Sequence, residues 1–158
     1  MLFLKRGERM TDKMSGKAYK KTYKGLCIWM ILFVLAGSTI SIILSGFVAD
    51  GKLLTNVTLL VVVAFLDLLM FIIYKGEYIY WINGGPDYEK ARKATSEQRK
   101  AYAWKHLKAF LIASVIFLLY LGISFARRFS IWVDILIFAA VVIAAAISTI
   151  FVKMDETI

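Results

Sequence analysis

The stretch "VVVAFLDLLMFII", residues 61–73, decides the fold, because twelve of its thirteen side chains are apolar and the thirteenth, Asp67, carries a carboxyl group. A run of this kind reads as part of a transmembrane helix. A charged Asp near the centre of a bilayer costs about 2.5–3.5 kcal/mol on insertion scales, so the residue requires an explanation.

Working outward, charged residues mark off four apolar stretches, at 25–49, 53–74, 109–126 and 129–152, with 25, 22, 18 and 24 residues. A membrane-spanning helix needs roughly 20 residues. Only Asp67 and Asp134 interrupt the four. The chain of 158 residues is 60% hydrophobic with a mean hydropathy of +0.70, above the 45–50% or so of soluble domains. The sequence therefore predicts an all-α integral membrane protein, a four-transmembrane-helix bundle. Its helices fall at about 25–49, 53–82, 96–126 and 129–152. A basic arm, 1–24, precedes a single membrane domain, 25–158. The first apolar stretch is too long for a signal-peptide core of 7–15 residues, and it is read as an uncleaved first helix.

Of the 20 Lys and Arg residues, eight lie in 1–24, eight between Lys75 and Lys108, and one at Lys153; only Lys52, Arg127 and Arg128 fall on the other side. Basic residues concentrate in cytoplasmic loops, which predicts both termini inside the cell and places the protein in a cell membrane. The Lys- and Ile-rich composition suits a small bacterial protein. The net charge of +9 then follows from topology, and nucleic-acid binding is not expected. Anionic lipid headgroups, attracted at about 1 kcal/mol per surface Lys or Arg, are the expected partners of the basic face.

The connections "DGK" and "RR" are short, so the spans pair as antiparallel hairpins. Between the second and third spans lies the one sizeable polar connector. Tyr74, Tyr78, Tyr80 and Trp81 form an aromatic belt, "NGGPD" makes a turn, and Thr95 with Gln98 has capping-box spacing. Helix formers then run without a break into the third span, which predicts a cytoplasmic helical hairpin whose second helix begins near Ser96. This hairpin is the expected docking surface for another protein. The sequon Asn56-Val57-Thr58 falls at or inside the membrane boundary and is read as chance.

Catalytic chemistry fails by count. A single His (His106) and a single Cys (Cys27) supply neither a zinc site of His and thiolate ligands nor an internal disulfide. No phosphate-binding Gly-rich loop is present. No cofactor or metal is expected, and His106, between Lys105 and Lys108, reads as a solvated interfacial residue.

Packing signals are clearer. Gly37, Ser41 and Ser45 in the first span, and Ala140, Ala144 and Ser148 in the fourth, form ladders of small residues at four-residue spacing, which allow close helix approach. The two ladders coincide in depth only near Gly37 and Ala140, so each calls for a further neighbour, within the chain or on another one: a homo-oligomer or a different membrane protein.

Asp134 lies six residues after Arg128, about 9 Å by helical rise, and is expected to reach water or pair with Arg127 or Arg128. Asp67 lies seven residues before Tyr74, about 10 Å inside the boundary, too deep for a short side chain to escape. Asn56, Leu60, Ala64, Phe71, Tyr74 and Tyr78 are read as its helix face. Ser114, Ser148 and Thr149 are the hydroxyls at its depth, and no span supplies a cation there, so the neutral acid is the inexpensive form. Asp67 then makes an interhelical hydrogen bond, relays a proton or cation, or answers a basic residue of another chain. Two function classes follow. One is a non-enzymatic interaction protein, an accessory or immunity-type subunit. The alternative is an oligomeric small transporter or channel using Asp67 as a coupling carboxylate.

Overall fold

The computed structural model describes residues 19–154. The basic positions Lys5, Arg6, Arg9, Lys13 and Lys17 of the N-terminal arm, and the last four residues, lie outside them. Among the described residues the chain is all-helical. Helix α1 spans Lys24–Phe47 and α2 Gly51–Gly76; a 3₁₀ turn at Ile79–Trp81 and the short α3, Tyr88–Lys93, form the connector. Helix α4 spans Ser96–Arg127 and α5 Ile131–Ile150. Helices α1, α2, α4 and α5 are each long and apolar enough to cross a membrane.

Local chemistry sets the helix ends. The Asp50 carboxylate accepts from the Lys52 and Leu53 amides and starts α2. Thr95 and Gln98 close a full capping box at the start of α4, which satisfies two amides that have no partner within the helix. Helix α2 stops at Gly76, short of the expected 82, because Glu77 turns left-handed with φ 59°. The Tyr78 ring then lies against Gly76, where any Cβ would collide with it. Helix α4, at 32 residues, is about 48 Å long. That exceeds the roughly 30 Å of a hydrocarbon core.

The four long helices run antiparallel in sequence order. Contacts Trp29–Phe65 and Ser41–Thr58 fix α1 along α2. Helix α2 packs on α4, α4 on α5, and α2 on α5. One end of the bundle, here called the turn end, carries the tight connections 48–50 and 128–130. The other, basic end carries residues 19–23, the connector and the last described residues. Two apolar clusters form the core. Val63, Phe117 and Leu121, with Phe138 and Val141 against them, fill the middle of the span. Ile73, Ile79, Tyr80, Ala91, Tyr102 and Ala103 knit the basic end, where Tyr19, Val152 and Met154 also pack.

At the turn end α4 closes through Arg128, a non-glycine residue with φ 54°, and Phe129 N–H reaches back to Ser124 O. The Arg128 side chain is exposed and a left-handed residue with a Cβ costs about 1–2 kcal/mol. Arg128→Gly is therefore expected to raise stability by about 0.5–1 kcal/mol, read as a higher thermal unfolding midpoint in detergent; a lower midpoint would mean that the side chain, not the backbone, matters there.

Candidate functional site

The polar groups of the span gather at two depths, separated by the Val63–Phe117–Leu121 layer. Near the turn end Asp134 is fully buried. Its Oδ1 accepts from Tyr120 Oη at 2.7 Å and Ser124 Oγ at 2.5 Å, and its Oδ2 from Asn56 Nδ2 at 3.0 Å. Lys52 Nζ stands 3.9 Å from Oδ2 while donating to the carbonyls of Ser124 and Phe129 at 3.0 and 2.8 Å. The expected pairing with Arg127 or Arg128 is thus not what the protein uses. Both arginines are exposed at the end of α4, and the cation arrives from the other hairpin instead. The Asn56 side chain is committed to this cluster and 1% exposed.

Deeper along α2, Asp67 meets α4. Ser114 Oγ stands 2.7 Å from Asp67 Oδ2 and 2.9 Å from the Phe110 carbonyl. Asp67 Oδ1 is buried without a hydrogen-bond partner among the described residues. The other two hydroxyls expected nearby are not brought in: Ser148 donates to Ala145 O and Thr149 to Ala146 O, each on its own helix. The α2 face read around Asp67 also divides. Asn56 is buried, but Ala64 and Phe71 are exposed, and the buried stripe runs Asn56, Val63, Ile73.

The small-residue ladders part in the same way. Gly37 and Ser41 face α2, where Ser41 Oγ lies 3.4 Å from Thr58 Oγ1. Together with Phe33, Ile40, Val61 and Val62 they line an open groove of about 220 Å³. Ser45 is exposed and bonds back to Ile42 O. On α5 the inward face is Asp134, Phe138, Val141 and Ala145, so Ala140, Ala144 and Ser148 turn outward.

At the basic end the connector is held by a charged hub. Glu77 accepts from Ser96 Oγ at 2.5 Å and from Arg99 through Nε and Nη2, both at 2.7 Å, with Lys100 at 3.7 Å. This explains why a glutamate, not a glycine, occupies the left-handed position: its carboxylate is needed there. Arg99 also donates to the carbonyls of Ala91 and Ala94 and lies under the Tyr19 ring, 4.3 Å from its centroid. Residues 19–23 are strapped onto this lobe. Tyr19 Oη donates to Glu77 O at 2.6 Å and Tyr88 Oη to Tyr19 O at 2.7 Å. Thr22 N–H donates to Tyr80 Oη, while Tyr80 Oη and Trp81 Nε1 both donate to Thr22 O. Burial pushes the Tyr19 and Tyr80 hydroxyls up from their ordinary value, so both remain neutral and able to donate.

His106 is 2% exposed, with Nδ1 3.0 Å from Tyr102 O and its ring against Tyr102. It is a packed residue, not the solvated one expected from its lysine neighbours, because it turns to the inner face of α4 while Lys105 and Lys108 turn out. Cys27 is exposed on α1. Among the described residues no three His, Cys, Asp or Glu side chains converge in a metal-binding group. Sequence reasoning missed the Glu77–Arg99 hub altogether. The signal available was the capping box at 95–98, which fixes the first turn of α4 and with it the direction of Arg99. No family model, curated protein or solved structure matches this chain.

Proposed function

We propose that the protein is a non-enzymatic membrane interaction protein, an accessory or immunity-type subunit. It binds another membrane-spanning helix along α1 and presents its basic connector to the cytoplasm. The observation that carries this reading is the groove between α1 and α2. Its floor of Gly37, Ser41 and Thr58 stands open along the span, and small residues of this kind let helix backbones approach closely. Trp29 is the one buried side chain of α1, so most of that helix is left for lipid or a partner. The exposed Lys75, Lys90, Arg92, Lys93, Lys105 and Lys108 give the cytoplasmic side a surface for anionic headgroups.

The alternative, an oligomeric transporter or channel coupled through Asp67, meets a physical obstacle. Each carboxyl group is engaged by side chains of this same chain, and the apolar layer of Val63, Phe117 and Leu121 separates them. A solute would need a route between copies.

Gly37→Leu and Ser41→Leu fill the groove. Both are expected to abolish the complex captured by crosslinking in membranes, with expression and unfolding midpoint kept close to wild type. Complexes of unchanged mass and yield in both variants would mean that the groove is covered by lipid alone.

A further inference from the structure

The spans hold a fully buried carboxyl group, Asp134, and a half-buried one, Asp67, whose Oδ1 is itself buried, and their donor sets differ. Every group around Asp134 can donate, and the amide nitrogen of Asn56 and the Lys52 ammonium can do nothing else. That donor set matches a carboxylate at Asp134. Around Asp67 the count reverses. Ser114 Oγ has one hydrogen and two oxygens within reach, Asp67 Oδ2 at 2.7 Å and Phe110 O at 2.9 Å. A helical serine ordinarily gives that hydrogen to the carbonyl four residues back. With that hydrogen on Phe110 O, the 2.7 Å contact to Asp67 Oδ2 is bridged by a hydrogen only if the carboxyl group itself carries one.

The surroundings agree. The gap beside Asp67 is about 10 Å³ and lined by Leu66, Phe110, Phe117, Phe138 and Val141, room for one water and too little for a hydrated cation. Apart from Ser114, α4 and α5 turn only apolar side chains to this gap. An ionised Asp67 would keep Oδ1 buried with no protein donor among the described residues, an arrangement disfavoured at low dielectric.

We propose that Asp67 is a proton-binding site within the span, with the acid hydrogen on Oδ2 donated to Ser114 Oγ and the serine hydrogen passed to Phe110 O, and that this makes it a modification site for apolar carboxyl reagents. A membrane-soluble carbodiimide would add there. The acid O–H crosses one C=N bond, the carboxyl oxygen bonds to carbon and the hydrogen moves to nitrogen. Migration of the acyl group from oxygen to nitrogen then gives a stable N-acylurea, with no leaving group and no change in oxidation state. Asp134, already a carboxylate, lacks the proton that this addition uses.

The full-length protein in neutral phosphatidylcholine vesicles at pH 7 is treated with dicyclohexylcarbodiimide and mapped by peptide mass spectrometry. The adduct is expected on Asp67 and not on Asp134, and is lost in Asp67→Asn. Independently, the infrared difference between wild type and Asp67→Asn should contain the carbonyl band of a neutral acid. Ser114→Ala should shift that band upward without replacing it by carboxylate bands. Carboxylate bands assigned to Asp67 at pH 7, no adduct on Asp67, or an adduct on Asp134 would each overturn the proposal.

Discussion

Arg99→Ala is expected to lower stability by about 3–5 kcal/mol, the cost of breaking a buried ion pair from one side, and to open the connector to protease. Arg99 is 6% exposed, and three parts of the chain converge on its guanidinium. Glu77 comes from the end of α2, the Ala91 and Ala94 carbonyls from α3 and its C-cap, and the Tyr19 ring from the arm. Removing it leaves the Glu77 carboxylate, whose side chain is 17% exposed, with Ser96 and a distant Lys100. Because the Glu77 backbone is held in a left-handed conformation, that strain loses its compensation too. Arg99→Lys tests whether charge alone is enough. A lysine cannot hold a carboxylate with two parallel N–H groups, reach the α3 carbonyls and stack under a ring, so it should recover less than half of the loss. The measurements are thermal unfolding in detergent and limited proteolysis across residues 82–95. An Arg99→Lys protein as stable as wild type would reduce the hub to a simple charge attraction.

The second large effect is expected at the other end of the bundle. Asp134→Ala removes the acceptor for Tyr120, Ser124 and Asn56 at once. Interhelical hydrogen bonds in membranes average about 0.6 kcal/mol and reach about 1.7, so three of them together imply a loss of roughly 2–4 kcal/mol. Lys52→Met should cost much less. Its ammonium is 3.9 Å from the carboxylate with the side chain 18% exposed, and partly exposed pairs contribute about 0–1 kcal/mol; two carbonyl hydrogen bonds add to that. A double-mutant cycle of Asn56→Leu with Asp134→Ala isolates the contact between hairpins. If Asp134→Ala and Lys52→Met cost the same, the ion pair and not the hydroxyl cage carries the cluster.

The sequence made the four spans legible because charge spacing against bilayer thickness is a coarse constraint, and the Thr95–Gln98 cap was legible because its signal is local. Asp134 was misread for the complementary reason. Its partners were sought along the chain at Arg127 and Arg128, whereas Lys52 and Asn56 lie about 80 positions away and reach it only once the hairpins meet. The rotation of α5 was nevertheless recoverable. A buried carboxylate must face inward, and Asp134 with Phe138, Val141 and Ala145 follows helical spacing, which turns the Ala140–Ala144–Ser148 ladder outward. Ser114 was found because it shares the depth of Asp67. Ser148 and Thr149 do not: the α5 residues beside Asp67 are Phe138, Val141 and Val142, and Ser148 lies seven residues beyond Val141, about 10 Å further along the helix. A depth counted from the ends of the apolar stretches ignores how the helices are offset.

The Asp134 cluster has a consequence for assembly order. Within the later hairpin Tyr120 and Ser124 already serve Oδ1, so that hairpin can enter the bilayer with its carboxylate half-satisfied. Oδ2 is completed only by Asn56 and Lys52 from the hairpin synthesised first. A slip of one helical turn, about 5.4 Å, would leave both sides of this junction bare in lipid. The cluster is thus a key cut for one alignment: it penalises any mispaired chain at the moment of docking, and a subunit that fails the fit carries the mark of failure, an unmatched carboxylate, into the membrane.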